Sequence, residues 1–337
     1  MFLKEIIINM KKILALTCAI LLLILSSCNA TTPQDTSESI TESAPQSTQA
    51  NEEAKTESET SQAPKNTITS MEKLKNVSGV ISVTKQSFSQ QINGAVAYKI
   101  LYETENGRLS ADAILPINYN SSTKQYPVLI YFPQINMTIE DLALKYALNG
   151  IILIRPFARG YDDSTGTRDL GGENDLTDSK KLLEIIDSAR FIESSKIFVA
   201  GSSEGSINAL RLFAEDTEKR ISGCAVIDVI ADLSAYSEFR GEVIENLFNS
   251  LIGKTYDEAP EEYNLRSAVK FTQKLDRPIL IMHYLQSPIM SVEQTDALYN
   301  LIKDTNQDCE YHKIDELSAD FQGESLQKLL SFIDTHK

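Results

Sequence analysis

From about residue 76 onward the apolar positions fall into two rhythms, short β-rich runs and segments of helical spacing. Residues 80–83, 96–104 and 109–116 are rich in β-branched and aromatic side chains, and Asn106-Gly107 between the last two predicts a hairpin. These segments read as antiparallel strands. Beyond them strand and helix alternate. An unbroken apolar run at 126–132 predicts a strand buried on both faces, 138–148 has helical spacing ended by Gly150, and 151–156 is the next strand. The pattern continues with a helix at 176–191, a strand at 196–200, a helix at 204–214 and a strand at 221–229. A polar, helix-rich excursion at 231–275 has the size of a cap over a pocket. A strand at 278–283, a helix at 291–304, a strand at 311–314 and a helix at 325–335 complete the chain. Such alternation predicts an α/β fold with a mostly parallel central sheet, helices on both faces, antiparallel N-terminal strands and a small helical cap.

The chain before residue 76 is of another kind. Lys11 and Lys12 precede an apolar run at 13–25, the length of a signal h-region and shorter than the roughly 20 residues a spanning helix needs. The run ends in Leu25-Ser26-Ser27-Cys28, which resembles the lipobox of bacterial lipoprotein precursors. The resemblance implies a signal peptide over residues 1–27, diacylation of the Cys28 thiol, attachment to membrane lipid, and a location on the extracytoplasmic side of the cell membrane. Met10-Lys11-Lys12 is a more typical signal start than Met1, so both starts remain open. Residues 29–70 carry no aromatic side chain and are mostly Thr, Ser, Glu, Gln and Pro. They bury too little apolar surface to offset the entropy of ordering, so residues 28–75 read as a lipidated cysteine and a flexible tether, with the folded domain at 76–337.

Composition removes several function classes. Of 337 residues, 47 are acidic and 32 basic, giving a net charge of -15, which excludes the cationic face a nucleic-acid binder needs. The folded part holds only Cys224 and Cys309, with no Cys/His cluster spaced for zinc. Asp162, Asp163, Asp175 and Asp178 are read as solvated or helix-dipole carboxylates, so neither a metal nor a cofactor is expected.

The candidate chemistry lies between the strand at 196–200 and the next helix, where the chain reads Gly201-Ser202-Ser203-Glu204-Gly205. A Gly-x-Ser-x-Gly turn at a strand-to-helix junction presents its serine above the sheet as a nucleophile. The backbone N–H of the following residue, Glu204, can donate to an oxyanion there. Together with Tyr126-Pro-Val-Leu-Ile-Tyr131, Arg155-Pro-Phe-Ala-Arg-Gly-Tyr161 and the stretch 260–294, this elbow resembles the catalytic domain of the prolyl oligopeptidase family of α/β-hydrolases and its esterase relatives. The resemblance implies a serine hydrolase with an acid after the penultimate strand and a histidine after the last. Here Ser287 stands at the acid position and Ala319 at the histidine position, and Phe132-Pro133-Gln134 replaces a His-Gly-Gly type oxyanion loop. The three histidines are His283, at a strand end, His312, inside the last strand, and His336; His283 is the candidate substitute base. Tyr284, at the family's usual glycine position, either narrows the site or packs the core.

Three readings follow. One is a membrane-anchored hydrolase-like protein, catalytically silent or impaired, that binds a small molecule or peptide under its cap. Another is an active esterase or peptidase in which Ser203 uses an unrecognised base. The third is a surface interaction protein working through its acidic exterior.

Overall fold

Alternation along the first strands sets up an antiparallel entry into the sheet. Val80–Gln86 (β1), Ala95–Thr104 (β2) and Gly107–Pro116 (β3) pair in sequence order. Thr104 pairs with Gly107, so the hairpin turn is Glu105-Asn106, and Gly107 enters β3 at φ 128°, which a side chain would resist. The computed structural model describes residues 68–120, 125–134, 137–189, 191–318 and 320–337, and of 192–195 the backbone alone. The signal-like run, Cys28 and Ala319 lie outside the described residues.

The parallel part comprises Tyr126–Phe132 (β4), Ile152–Pro156 (β5), Ile192–Ser202 (β6), Ile221–Ile227 (β7), Ile279–Tyr284 (β8) and Cys309–Ile314 (β9). The nine strands run in the order β1-β2-β3-β5-β4-β6-β7-β8-β9. Helices Ile139–Lys145 (α1), Glu173–Asp187 (α2), Gly205–Ala214 (α3), Val292–Ile302 (α7) and Gly323–Thr335 (α8) cover the sheet. Period-two alternation divides the core between its faces. Val128, Ile130, Ile197, Val199 and Ile281 pack with Leu182 and Ile186 of α2, Leu210 and Phe213 of α3, and Leu298 of α7. Leu129, Tyr131, Phe198, Ala200 and Met282 pack with Leu142 of α1 and with Leu329 and Phe332 of α8. With both faces covered, the central strands read as unbroken apolar runs.

The excursion folds as Leu233–Arg240 (α4), Glu242–Ile252 (α5) and Pro260–Asn264 (α6). Leu233, Tyr236, Phe248 and Tyr263 of these helices share a third apolar cluster with Ile207 of α3 and Met290, so the cap sits on the helix that follows the elbow. Buried Arg266 ties it down, donating to the Asp169 backbone carbonyl and side chain, each at 3.0 Å.

The packed chain begins earlier than composition indicates. Ile68 bridges to Ala189, and Met71 and Leu74 are buried in a 3-10 turn at Met71–Asn76, so residues 68–75, assigned to the tether by composition, belong to the core. Three apolar residues spaced by three in a polar stretch suffice for one buried turn. The strand expected at 196–200 also starts earlier: Tyr126 N–H donates to the Phe191 carbonyl and Tyr126 pairs with Ile192, so parallel pairing draws the end of the expected 176–191 helix into the sheet. No described helix is long and apolar enough to cross a membrane.

Candidate active site

Ser203 follows β6 with φ 47°, the left-handed backbone that a non-glycine residue adopts only under constraint. Both flanking glycines are sterically required. A Cβ on Gly201 would lie 2.3 Å from the Gly205 carbonyl oxygen, and one on Gly205 would lie 1.9 Å from that of Phe132. The sharp turn therefore presses the start of α3 against the end of β4. Glu204 stands at the N-cap of α3 rather than within it, and its backbone N–H donates to no group among the described residues.

Register places the partners. Ser202 pairs with Ile227 and Ile227 with Met282, so Ser203, Asp228 and His283 stand in one row at the carboxyl ends of β6, β7 and β8. Asp228 is the second strained residue of that row, at φ 49°, and accepts from the Tyr284 N–H at 2.9 Å. His283 Nδ1 lies 3.2 Å from Asp228 Oδ1 and 3.2 Å from Thr295 Oγ1 of α7. The imidazole is thus held by a carboxylate, while the Ser203 hydroxyl makes no hydrogen bond among the described residues. Asp228 has one sequence signal, a carboxylate directly following an apolar strand, but nothing in the sequence pairs it with His283.

Ser287, expected at the acid position, donates its N–H to the Tyr284 carbonyl at 2.9 Å, and its buried hydroxyl has no partner among the described residues. His312 lies in β9 beside Glu310, and His336 ends α8 with Nδ1 2.9 Å from the Phe332 carbonyl oxygen; neither joins the elbow row.

A second polar group surrounds the loop before α8. Lys145 Nζ lies 2.6 Å from Asp320 Oδ2 and donates to the Phe321 carbonyl at 2.8 Å. Tyr131 Oη donates to Asp320 Oδ1 and lies 3.3 Å from Ser202 Oγ, which accepts the Gln134 N–H at 2.9 Å. Tyr284 is buried in the core; its hydroxyl donates to the Asp320 carbonyl at 2.8 Å and meets Ser325 Oγ at 2.5 Å, so the residue packs beneath this loop. Burial pushes the Asp320 carboxyl up to about 7 and the Lys145 ammonium down from its ordinary value. At the mouth of the elbow, Glu204 pairs with Arg168, whose guanidinium lies 5.8 Å from the Tyr161 ring centre, and Arg240 of the cap reaches the Tyr236 hydroxyl and the Ile289 carbonyl.

The fold is similar to those of solved hydrolases. Over 73% of this chain and 36% of its own, the dipeptidyl peptidase 4 of Porphyromonas gingivalis superposes with TM-score 0.57 at 14% identity. An acylaminoacyl peptidase of Pyrococcus horikoshii superposes over 73% of this chain and 42% of its own, with TM-score 0.58 at 14% identity. The chain has a prolyl oligopeptidase-like α/β-hydrolase fold. An acetyl xylan esterase of Paenibacillus sp. R4 shares that hydrolase fold over 78% of this chain and 91% of its own, with TM-score 0.61 at 14% identity. In sequence, a Bacillus subtilis (strain 168) protein named uncharacterized peptidase YtmA is 22% identical over 228 residues, 66% of this chain and 85% of that one. No family model matches the chain. It spans about a third of the dipeptidyl peptidase's length and nearly all of the esterase's. Proteins that share the hydrolase fold thus include peptidases and esterases.

Proposed function

We propose that this is a hydrolase-fold protein anchored outside the cytoplasm through lipidated Cys28, in which the elbow is kept but nucleophilic catalysis is impaired, and which binds a small molecule or peptide at the mouth beneath its cap. The observation that carries the reading is that the Ser203 hydroxyl makes no hydrogen bond to His283 or to any other group among the described residues, while Ser287 stands at the position where the resemblance expects the acid. A serine without a base stays protonated at neutral pH. Loss of a triad histidine lowers kcat by about 10⁶. The oxyanion hole is weakened too, since Gln134 N–H is spent on Ser202, and losing one such donor lowers kcat by about 10² to 10³. Arg168, Glu204 and Tyr161 supply partly exposed polar and aromatic groups for binding at the mouth.

A fluorophosphonate probe is expected to leave the protein unlabelled, as it does the Ser203→Ala variant, and activated esters to be hydrolysed at equal rates by both. Labelling that disappears with Ser203→Ala would overturn the impaired reading. The Asp228–His283 pair favours a second reading, an active serine hydrolase in which this pair supplies the base. In that case His283→Ala loses labelling at least 100-fold, whereas an unchanged rate excludes it. The anchoring is tested separately: the full chain is expected to partition into detergent and incorporate labelled fatty acid, and Cys28→Ser to lose both.

A further inference from the structure

We propose that Asp320 is a positioning residue for the segment after β4, its carboxylate anchoring a one-way hydrogen-bond chain through Tyr131 and Ser202 that occupies the Gln134 N–H. The inference rests on reading that segment as the oxyanion loop, and not on whether Ser203 turns over a substrate. Direction follows from the donor inventory. A carboxylate only accepts, so the one proton of the Tyr131 hydroxyl is committed to Asp320 Oδ1. At 3.3 Å from it, Ser202 must then donate to Tyr131, which leaves the serine oxygen to receive the Gln134 N–H at 2.9 Å. Lys145 at 2.6 Å holds the other carboxylate oxygen and completes the anchor.

The members lie on four separate elements: Lys145 closes α1, Tyr131 is in β4, Ser202 ends β6, and Asp320 precedes α8. The ion pair alone would fasten α1 to the last loop. Its extension through Tyr131 and Ser202 is what reaches the residue beside Ser203, along a path where both are buried. Hydrogen bonds in such a low-dielectric path reinforce one another, so the chain should respond as a unit. In this arrangement the loop that carries the base in the family resemblance instead fixes the backbone of the oxyanion loop.

Hydrogen–deuterium exchange of the full chain at pH 8, read by mass spectrometry, tests this. Pro133 has no N–H, so the difference in uptake between overlapping peptides that end at Phe132 or Pro133 and at Gln134 reports the Gln134 amide. Asp320→Asn and Ser202→Ala are each expected to speed that exchange at least 10-fold while protection of β7 is unchanged. The double variant is expected to exchange no faster than Ser202→Ala, because both cut one chain. Tyr131→Phe should also speed Gln134 but leave the segment after Asp320 protected, since the lysine pair is intact; a purely structural aspartate would not give that separation. Exchange of Gln134 within twofold of wild type in Asp320→Asn, or single effects that multiply in the double variant, would overturn the proposal. If Asp320→Asn does not fold, Tyr131→Phe with and without Ser202→Ala supplies the same comparison.

Discussion

Replacing Gly205 with alanine is expected to destabilise the domain by about 3 kcal/mol, the upper end for overpacking a close-fitted site, and to lower Tm by roughly 6 to 12 °C. The added Cβ would sit 1.9 Å from the Phe132 carbonyl oxygen, a main-chain atom of a strand paired on both sides, so no side chain can swing clear. Either α3 lifts from β4 or the sheet gives way. Gly150→Ala is the control. That glycine has φ 75° but open space where a Cβ would go, so only the left-handed penalty applies, about 1 kcal/mol. Urea denaturation of both variants checks the pair, and equal losses would show that backbone conformation, not the contact with Phe132, makes glycine necessary in the elbow.

The second large effect is expected on the other side of β4 from the elbow strand β6, in β5 and β3. Arg155 of β5 and Asp112 of β3 pair inside the sheet with side chains 6% and 2% exposed, and Arg155 also donates to the Met137 carbonyl. Asp112→Ala leaves a guanidinium without its carboxylate in a low-dielectric site, a change that is destabilising by about 3 to 5 kcal/mol. Removing both charges as Asp112→Leu/Arg155→Met should restore most of the loss, because well-packed apolar side chains of similar volume commonly match a buried ion pair. For contrast, Asp276→Ala breaks an exposed pair with Lys219 and is expected to change stability by less than about 1 kcal/mol. Chemical denaturation of the three variants gives the ordering, and an Asp112→Ala loss no larger than that of Asp276→Ala would contradict it.

The architecture was legible because the signals that form it are local. Apolar runs such as residues 126–132 announce strands buried on both faces, Gly150 ends a helix with φ 75°, and Gly201 and Gly205 bracket a turn that no other residue permits. The expectation at Ser287 rests on a motif that fixes its position relative to His283. The Asp228–His283 pair and the Lys145–Asp320–Tyr131 group were not legible, since each joins side chains from different strands or loops through register and rotamer, which sequence spacing does not encode. The start of the domain was missed for a related reason. Ile68, Met71 and Leu74 are sparse among polar neighbours, and only their tertiary contacts make them core.

The bridge between Ile68 and Ala189 has a practical side. Ala189 leads into the amino end of β6, whereas Ser203 follows its carboxyl end, eleven strand residues later. β6 runs alongside the six residue steps of β4 from Tyr126 to Phe132, so at about 3.3 Å per step its two ends lie roughly 20 Å apart. The described chain therefore enters the sheet at the end of β6 opposite Ser203, so a tag grafted directly ahead of Ile68 is expected to leave the elbow accessible to a soluble ligand.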